Sequence, residues 1–143
     1  MRYYSVDILS PSKIVAKNVQ AESLLIPTEK GQINVLENHT HLVTKLGTGM
    51  LSVFGGPDYG DRHFSITTGV CKILDNKIIV LTNVSEESTD VDAERAKLAL
   101  KNAEDKLKNT EGLSLEDIEK YRRKVERAKL RIQLAGHTKN HNI

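Results

Sequence analysis

Residues 77–107, KIIVLTNVSEESTDVDAERAKLALKNAEDKL, contain the point at which the chain changes from one hydrophobic period to another. Up to about residue 85 the apolar residues come in short runs that are rich in β-branched side chains, as strands require. From Thr89 onward they recur every three or four residues, as on one face of a helix. The sequence therefore predicts an all-β N-terminal part followed by helices.

The N-terminal part divides into strand-like runs separated by turn residues. Pro11 and Ser12 mark one turn, the glycines at 47–49 and 55–60 mark two more, and Asp75-Asn76 marks a tight hairpin. Many short, closely spaced strands form a sandwich or a flattened barrel. We therefore expect an all-β sandwich or flattened barrel of about ten strands over residues 1–86.

The C-terminal part carries two apolar stripes with helical spacing. The first stripe lies within residues 96–107 and the second within residues 118–135, and both are rich in alanine. Residues 109–112 break the pattern between them. An antiparallel α-helical hairpin is therefore expected over residues 87–143, and its alanine-rich stripes bury only a modest apolar area.

The ends of the two helices have recognisable signals. Thr89 with Asp92, and Ser114 with Asp117, have the spacing of a capping box, which predicts a helix start at each place. Gly136 is expected to end the second helix, because glycine favours helix C-termini. The polar residues 137–143 are expected to form a disordered tail.

Composition limits the classes of protein to which the chain can belong. With 143 residues, 38% hydrophobic and 28% charged, it has the composition of a soluble globular protein. No apolar run approaches the roughly 18 to 20 residues that cross a bilayer, and the start, MRYYSVDILS, lacks the pattern of a secretory leader. We therefore expect a cytoplasmic location. The single cysteine, Cys71, excludes an internal disulfide framework and is expected to be a buried thiol.

A basic segment is the strongest electrostatic feature of a chain whose net charge is only +2. Residues 120–131 hold seven basic side chains against Glu126 alone. The seven are Lys120, Arg122, Arg123, Lys124, Arg127, Lys129 and Arg131. The segment fits either a solvated helix face or a contact with an acidic partner. A nucleic-acid-binding module is a further alternative, which the nearly balanced overall charge and the scarcity of aromatic residues disfavour.

The histidines of the stretch LENHTHL, residues 36–42, raise the alternative of a metal-dependent enzyme. His39 and His41 would share one face of a strand, but a catalytic metal needs a third ligand, and His63 is the only other histidine in this half. The chain also lacks the glycine-rich phosphate loop and the GxSxG nucleophile motif. We therefore expect a turn here, with no catalytic residues and no metal site.

Three stretches carry a family resemblance. Residues 31–43, GQINVLENHTHLV, resemble a family pattern GELGILPGHAPLV, in which only His39 keeps the histidine and His41 replaces a proline. Residues 67–73, TTGVCKI, followed by KIIVL, are similar to SGGFLEV and the strand VTVLA after it, and residues 90–96, DVDAERA, are similar to DIDxxRA. From about residue 4 to residue 135 the chain resembles the epsilon subunit of the bacterial and chloroplast rotary ATP synthase.

This resemblance implies a noncatalytic rotor subunit at the cytoplasmic face of the bacterial inner membrane, with no required cofactor. The sandwich would bind the gamma subunit and the c-ring, and the hairpin would extend to reach the beta subunit and suppress ATP hydrolysis. Candidate inhibitory contacts to the beta subunit are Arg122, Arg123, Lys124, Arg127 and Arg131. Candidate contacts to the c-ring or gamma subunit are Glu29, His39, His41 and Leu42.

The resemblance also implies a regulatory ligand, because some bacterial members bind ATP on the folded hairpin. The matching positions here are Glu86, Val91, Asp92, Arg95, Ala96, Arg127 and Arg131. One arginine that the pattern expects on the first helix is replaced by Asn102. Since arginine is a strong phosphate ligand, this replacement predicts weaker ATP binding.

Overall fold

The computed structural model describes residues 3–35, 41–57 and 60–141, and it divides the chain into two compact units. The first unit is Met1–Glu87 and the second is Ser88–Ile143. In the described ranges, strands are confined to the first unit and helices to the second. The expected fold class, strands followed by a helical hairpin, is confirmed.

Nine strands make up the sheet in the part of the chain that the structure describes, against about ten expected. In chain order they are β1 (Tyr4–Leu9), β2 (Ile14–Ala21), β3 (Ser23–Thr28), β4 (Gly31–Val35), β5 (Leu42–Leu46), β6 (Gly49–Gly56), β7 (Gly60–Ile66), β8 (Gly69–Leu74) and β9 (Lys77–Thr82). They follow one another with short connections, as the closely spaced turn signals predicted.

The nine strands form one mixed sheet that curls around its own apolar face. Neighbouring strands follow the order β2-β1-β9-β8-β5-β3-β6-β7, and β4 pairs with β3 beside this path. β1 and β9 are parallel, whereas the other described pairs are antiparallel. Because β3 pairs with β4, β5 and β6, it is the branch point of the sheet.

The core of the first unit is built from the inward side chains of alternating strand positions. Val6 of β1 lies opposite Ile78 of β9, which lies opposite Ile73 of β8, and all three are fully buried. Each such side chain contributes about 1.5 to 3 kcal/mol relative to an exposed position. Cys71 is buried in the same cluster, as expected, and burial raises the pKa of its thiol to about 12.

A small polar network joins β1, β2 and β9. Asp7 Oδ2 lies 2.9 Å from Lys77 Nζ, and Asp7 Oδ1 accepts a hydrogen bond of 2.8 Å from the backbone N–H of Asn18. Asn18 has a φ of 54°, a left-handed conformation that asparagine tolerates. Burial raises the pKa of Asp7, but the hydrogen bond from Asn18 and the Lys77 ammonium outweigh it, so that this pKa lies below its ordinary value.

The last residues of the first unit are fastened to β7. Ser65 N–H donates to the Glu86 carbonyl at 2.8 Å, and Glu86 N–H donates to Ser65 Oγ at 2.9 Å. Arg62 donates two hydrogen bonds, of 2.7 and 2.6 Å, to the carboxylate of Glu87. Their side chains are only 20% and 17% exposed, so this bidentate pair is better shielded than a surface ion pair. The strand-like part of the chain therefore ends at a well-anchored residue.

Helix α1 spans Ala93–Lys108 and begins later than one sequence signal suggested. Its N-cap is Asp92, whose carboxylate accepts a hydrogen bond of 3.1 Å from Arg95 N–H. The expectation that Thr89 caps the helix is wrong, because Ser88–Asp90 forms a separate 3₁₀ turn. Backbone N–H groups in the first turn of a helix have no partner within the helix, and the Asp92 carboxylate accepts from one of them. The helix therefore needs no earlier cap.

Helix α2 spans Leu115–His141 and confirms one predicted end but not the other. Ser114 Oγ accepts a hydrogen bond of 3.1 Å from Asp117 N–H, as the capping-box spacing predicted. The expectation that Gly136 ends the helix is wrong, and residues 137–141 are helical rather than a disordered tail. Leu134 and Ala135 are buried beside Gly136, so packing holds this turn despite the weak helix propensity of glycine.

Within the described residues, neither helix combines the length and apolarity needed to span a membrane.

Candidate functional site

The second unit contains a cleft between α1 and α2 whose floor is made of small side chains. Ala99 and Ala103 on α1 face Ala128 on α2, and Ala103 and Ala128 are each only 3% exposed. Larger residues at these positions would fill the space between the helices. The alanines instead leave a volume of about 490 Å³, which we call the interhelical cleft.

The rim of the interhelical cleft is strongly cationic. Lys106 lines it from α1, and Lys124, Arg127 and Arg131 line it from α2. The remaining polar lining residues are Asn102 and Tyr121, and no carboxylate belongs to the lining. Lysine and arginine side chains gathered at one opening attract negatively charged groups. The cleft is therefore suited to a negatively charged ligand.

The basic segment 120–131 contains residues that line the cleft and residues that do not. Lys124, Arg127 and Arg131 follow steps of three and four residues and line the cleft. Arg122 and Arg123 are exposed and do not belong to the cleft lining. The predicted inhibitory set of Arg122, Arg123, Lys124, Arg127 and Arg131 thus divides into a cleft group and an outward pair.

The predicted ATP-binding residues are only partly brought together. Arg127 and Arg131 meet in the interhelical cleft, beside the Asn102 that replaces the expected arginine. The residues of the DVDAERA segment do not belong to its lining, and two of them have structural roles. Asp92 caps α1 through its carboxylate, and Ala96 is fully buried.

Three other members of that set lie outside the cleft. Val91 and Arg95 lie at the beginning of α1, with Val91 in the connection before the helix and Arg95 exposed in its first turn. Glu86 belongs to the first unit, where its backbone bonds to Ser65. Lys106 and Tyr121 of the cleft were missed, although their spacing from Ala99 and Ala128 could have indicated them.

The outer face of the sheet in the first unit carries a row of apolar side chains. Register places Ile14 opposite Leu9, Leu9 opposite Leu81, and Leu81 opposite Val70, across β2, β1, β9 and β8. Ile14, Leu81 and Val70 are 61%, 51% and 40% exposed. A depression of about 670 Å³ is lined by Leu9, Leu81 and Val70. We call this row the outer apolar row.

The predicted c-ring and gamma contacts lie near the β3–β4 turn and the start of β5. Glu29 lines a small depression of about 260 Å³ together with Lys30 and residues 43–45. His41 Nε2 lies 3.1 Å from Asp75 Oδ1 at the surface. Leu42 is half-buried and packs against the core. His39 lies outside the described residues, so its prediction is untested.

His63, the third histidine of the N-terminal half, is buried in the sheet. His63 is 5% exposed and its Nδ1 lies 2.7 Å from Ser52 Oγ on the neighbouring strand. In residues 3–35, 41–57 and 60–141, no three His, Cys, Asp or Glu side chains come together in a way that could hold a metal ion. His63 therefore takes part in packing, and His41 pairs with Asp75 at the surface.

Comparison with known proteins identifies the family. A family model described as "ATP synthase, Delta/Epsilon chain, beta-sandwich domain" matches residues 3–88. The chain is 37% identical over 133 residues to an ATP synthase epsilon chain of Persephonella marina, which covers 93% of this chain and 96% of the relative. The chain belongs to the ATP synthase epsilon family. The resemblance predicted from its sequence is thereby confirmed.

Other epsilon chains match over three quarters or more of this chain. A chloroplastic epsilon chain of Tetradesmus obliquus is 33% identical over 76% of this chain and 77% of its own length. An epsilon chain of Staphylococcus aureus is 29% identical over 94% of this chain and 98% of its own. A chain in the mitochondrial ATP synthase of Euglena gracilis superposes with a TM-score of 0.67 at 15% identity, covering 100% of this chain and 83% of that one, which supports the fold.

The stretch at residues 67–69 is held in place by hydrogen bonds and by close backbone packing. In the TTG stretch that replaces SGG, Thr67 Oγ1 donates to the Val84 carbonyl at 3.2 Å and accepts a hydrogen bond of 2.8 Å from Val84 N–H. Gly69 is retained where a Cβ would overlap the Leu81 carbonyl oxygen. These hydrogen bonds fasten Thr67 to Val84, and Gly69 preserves the close approach of β8 to β9.

Proposed function

We propose that this chain is a noncatalytic central-stalk subunit of a proton-translocating ATP synthase, at the cytoplasmic face of the bacterial inner membrane. Its first unit couples rotation of the c-ring to the catalytic head through the gamma subunit. The observation that carries the proposal is membership of the epsilon family over 93% of the chain. A curled sheet with a close-packed core has the low compressibility that transmission of torque requires.

The outer apolar row is the surface that contacts the gamma subunit. Its exposed side chains come from four adjacent strands and therefore form a contiguous patch rather than scattered apolar residues. Contiguous apolar patches on a folded surface mark sites of protein association. Lys45 lies opposite Val70 and places a charge at the end of the row. This arrangement resembles an interface with an apolar centre and a polar rim.

Copurification with the gamma subunit tests this role. Leu81→Arg is expected to weaken copurification by about tenfold or more, because it buries a charge in an apolar contact. Gln32→Arg adds the same charge at an exposed position on β4 and is expected to have no effect. If Leu81→Arg copurifies like the natural chain, the surface is wrongly assigned. If the natural chain does not copurify with gamma, the proposed role fails.

The c-ring contact involves Glu29 in the turn between β3 and β4 and His41 directly before β5, together with His39, which lies outside the described residues. Glu29 and His41 are exposed and polar, which suits them to the polar loops of a membrane-embedded ring. Leu42 supports this surface from within, since it packs against the core directly after His41.

The hairpin inhibits ATP hydrolysis by presenting its basic helix to an acidic surface of the beta subunit. Exposed single ion pairs are weak and screened by salt, so several cations must act together. Arg122 and Arg123 are available for this contact while Lys124, Arg127 and Arg131 line the interhelical cleft. The inhibitory surface is therefore centred on the outward pair, and the cleft group adds to it when the helices separate.

A second candidate function is favoured by the interhelical cleft itself: the hairpin senses ATP. The cleft has the volume of a small-molecule site and a cationic rim. A ligand held between α1 and α2 stabilises the folded hairpin by mass action. Calorimetry with the full chain tests this candidate, and the absence of heat at millimolar ATP would eliminate it.

A further inference from the structure

We propose that Thr89 is a second N-cap for α1, which replaces Asp92 when α2 separates from α1 and lengthens the helix toward its N-terminus. The folded hairpin uses Asp92 as the cap, whereas the sequence also has capping-box spacing at Thr89. The two capping signals therefore belong to two states of the same helix. This inference deepens the inhibitory function proposed for the hairpin, and it rests on that function for the separation of the helices.

The 3₁₀ turn that holds Thr89 in the folded hairpin has little support from its own hydrogen bonding. Ser88–Asp90 forms a single turn, and Val91 N–H donates to the Ser88 carbonyl at 3.4 Å, which is longer than the usual range. The turn also contacts α2 within the second unit. Packing against α2 therefore contributes to holding Ser88–Asp90 in this conformation, and separation of the helices removes that support.

The residues between the two caps can become helical with little rearrangement. Asp92 has a φ of −86° and a ψ of 106°, so its φ already lies in the helical range and only its ψ must rotate. Thr89, Asp90 and Asp92 are exposed, so their side chains can move without uncovering a core. Growth of α1 through Asp90 is therefore sterically open once the turn is released.

The lengthened helix has a complete N-terminal signal. With Thr89 as the N-cap, the helix begins at Asp90, and Asp92 becomes its third residue. The N–H of Asp92 then donates to the Thr89 hydroxyl, and the Asp92 carboxylate accepts from the Thr89 N–H. The carboxylates of Asp90 and Asp92 both lie in the first turn, where the positive end of the helix dipole favours them. Asp92 thus serves both states, first as the cap and then as the partner of the cap.

The growth of α1 offsets part of what the helix loses when α2 leaves. α1 has 16 residues, of which only Ala96 and Ala103 are buried. Isolated helices of up to about 15 residues are marginal in water, and each added residue contributes another backbone hydrogen bond. A further turn at the N-terminus therefore lets α1 persist as a helix without its partner.

Backbone NMR of the full chain tests the proposal, with a variant that separates the helices. Ala103→Glu/Ala128→Glu places two carboxylates at buried positions on α1 and α2, each only 3% exposed, and is expected to separate them. Ala103→Lys/Ala128→Lys does the same with two ammonium groups. Loss of nuclear Overhauser contacts between α1 and α2 verifies the separation. In both opened chains, the Cα shifts of residues 90–92 are expected to become helical.

Substitution of the proposed cap separates its effect from that of opening. In the opened chains, Thr89→Val keeps the shape but removes the hydroxyl, and it is expected to return residues 90–92 to non-helical shifts. Hydrogen exchange of the Asp92 amide should become about fivefold faster, as the loss of a typical N-cap predicts. Thr89→Ser is expected to retain the helix. Thr110→Val, at an exposed position beyond the other end of α1, should change nothing.

Three results would overturn the proposal. In the opened chains, α1 could still begin at Ala93, it could unfold, or its extension could survive Thr89→Val. In the natural, folded chain, Thr89→Val is expected to change exchange in α1 by less than about twofold, because Asp92 is the cap there. Inhibition of ATP hydrolysis is measured separately in the assembled enzyme. Failure of the natural chain to inhibit would overturn the inhibitory function, whereas the NMR result would still decide whether Thr89 caps the opened helix.

Discussion

Asp7 shows how one carboxylate can make stability depend on pH. It accepts a hydrogen bond from Asn18 N–H and pairs with Lys77, and its pKa lies below the ordinary value in consequence. A carboxylate with a lowered folded-state pKa stabilises the fold above its unfolded pKa of 3.8, and this stabilisation is lost as the pH falls through the folded value.

Asp7→Asn is therefore expected to lower the free energy of unfolding by about 1 to 2 kcal/mol at pH 7. The difference from the natural chain should shrink below about pH 4, where Asp7 itself becomes protonated. Urea unfolding at pH 7 and pH 3 measures both values. Glu119→Gln, at an exposed position on α2, serves as the control. A difference that stayed constant across this range would show that Asp7 stabilises the fold through its shape and not its charge.

Two glycines should respond in opposite directions to the same substitution. At Gly69 a Cβ would overlap the Leu81 carbonyl oxygen of the neighbouring strand, whereas at Gly136 it would meet no atom within 4 Å. Gly69→Ala is expected to destabilise the chain by about 2 kcal/mol or more, because backbone must move. Gly136→Ala should stabilise it by about 0.5 to 1 kcal/mol, since alanine favours the helix interior. Thermal unfolding compares them, and destabilisation by Gly136→Ala would contradict the helical assignment there.

At the scale of one element, α2 presents two cationic surfaces that sequence alone treats as one. Arg122 and Arg123 are exposed and lie outside the lining of the interhelical cleft. The double variant Arg122→Glu/Arg123→Glu is therefore expected to relieve inhibition of ATP hydrolysis in the assembled enzyme by severalfold while leaving ligand binding in the cleft intact. ATPase assays at low and moderate salt measure the relief.

The control for this experiment changes the same charge on the other helix. Lys97→Glu/Lys101→Glu reverses two exposed lysines of α1 and should leave inhibition unchanged. Full inhibition by the Arg122→Glu/Arg123→Glu chain would place the inhibitory contact elsewhere. Loss of cleft binding in that chain would show that the two surfaces are not independent.

Element boundaries were predictable where one side chain decides them. Ser114 caps α2 as its spacing indicated, and Asp75, with a φ of 53°, forms the two-residue turn between β8 and β9. The start of α1 and the end of α2 were mispredicted. Thr89 and Gly136 carry the right residue types, but the Asp92 cap and the packing of Leu134 act more strongly than those local preferences.

At the scale of the whole molecule, the first unit has a core of its own. Its apolar cluster runs from Tyr4 to Val80, entirely within Met1–Glu87, and the Arg62–Glu87 pair fastens the end of that unit to β7. A unit with its own core and anchored ends can fold alone.

A chain truncated after Glu87 is therefore expected to stay folded, to bind the gamma subunit and to lose inhibition of ATP hydrolysis. Circular dichroism, copurification and ATPase assays measure the three outcomes. Truncation after Asn83 removes Glu87 and the bonds of Glu86, and it should lower stability by about 1 to 3 kcal/mol relative to the longer fragment. An unfolded 1–87 fragment would contradict the independence of the first unit.

The sequence by itself determined the strand-rich and helical halves, the family, the cap at Ser114 and the basic segment, because hydrophobic period, capping and local charge depend on residues a few positions apart. Only the tertiary structure placed Lys106 beside Lys124, and Leu9 beside Leu81 and Val70. These neighbours are joined by strand register and by helix packing over small alanines. Such long-range pairing is a property of the folded chain, and a single sequence carries no local signal for it.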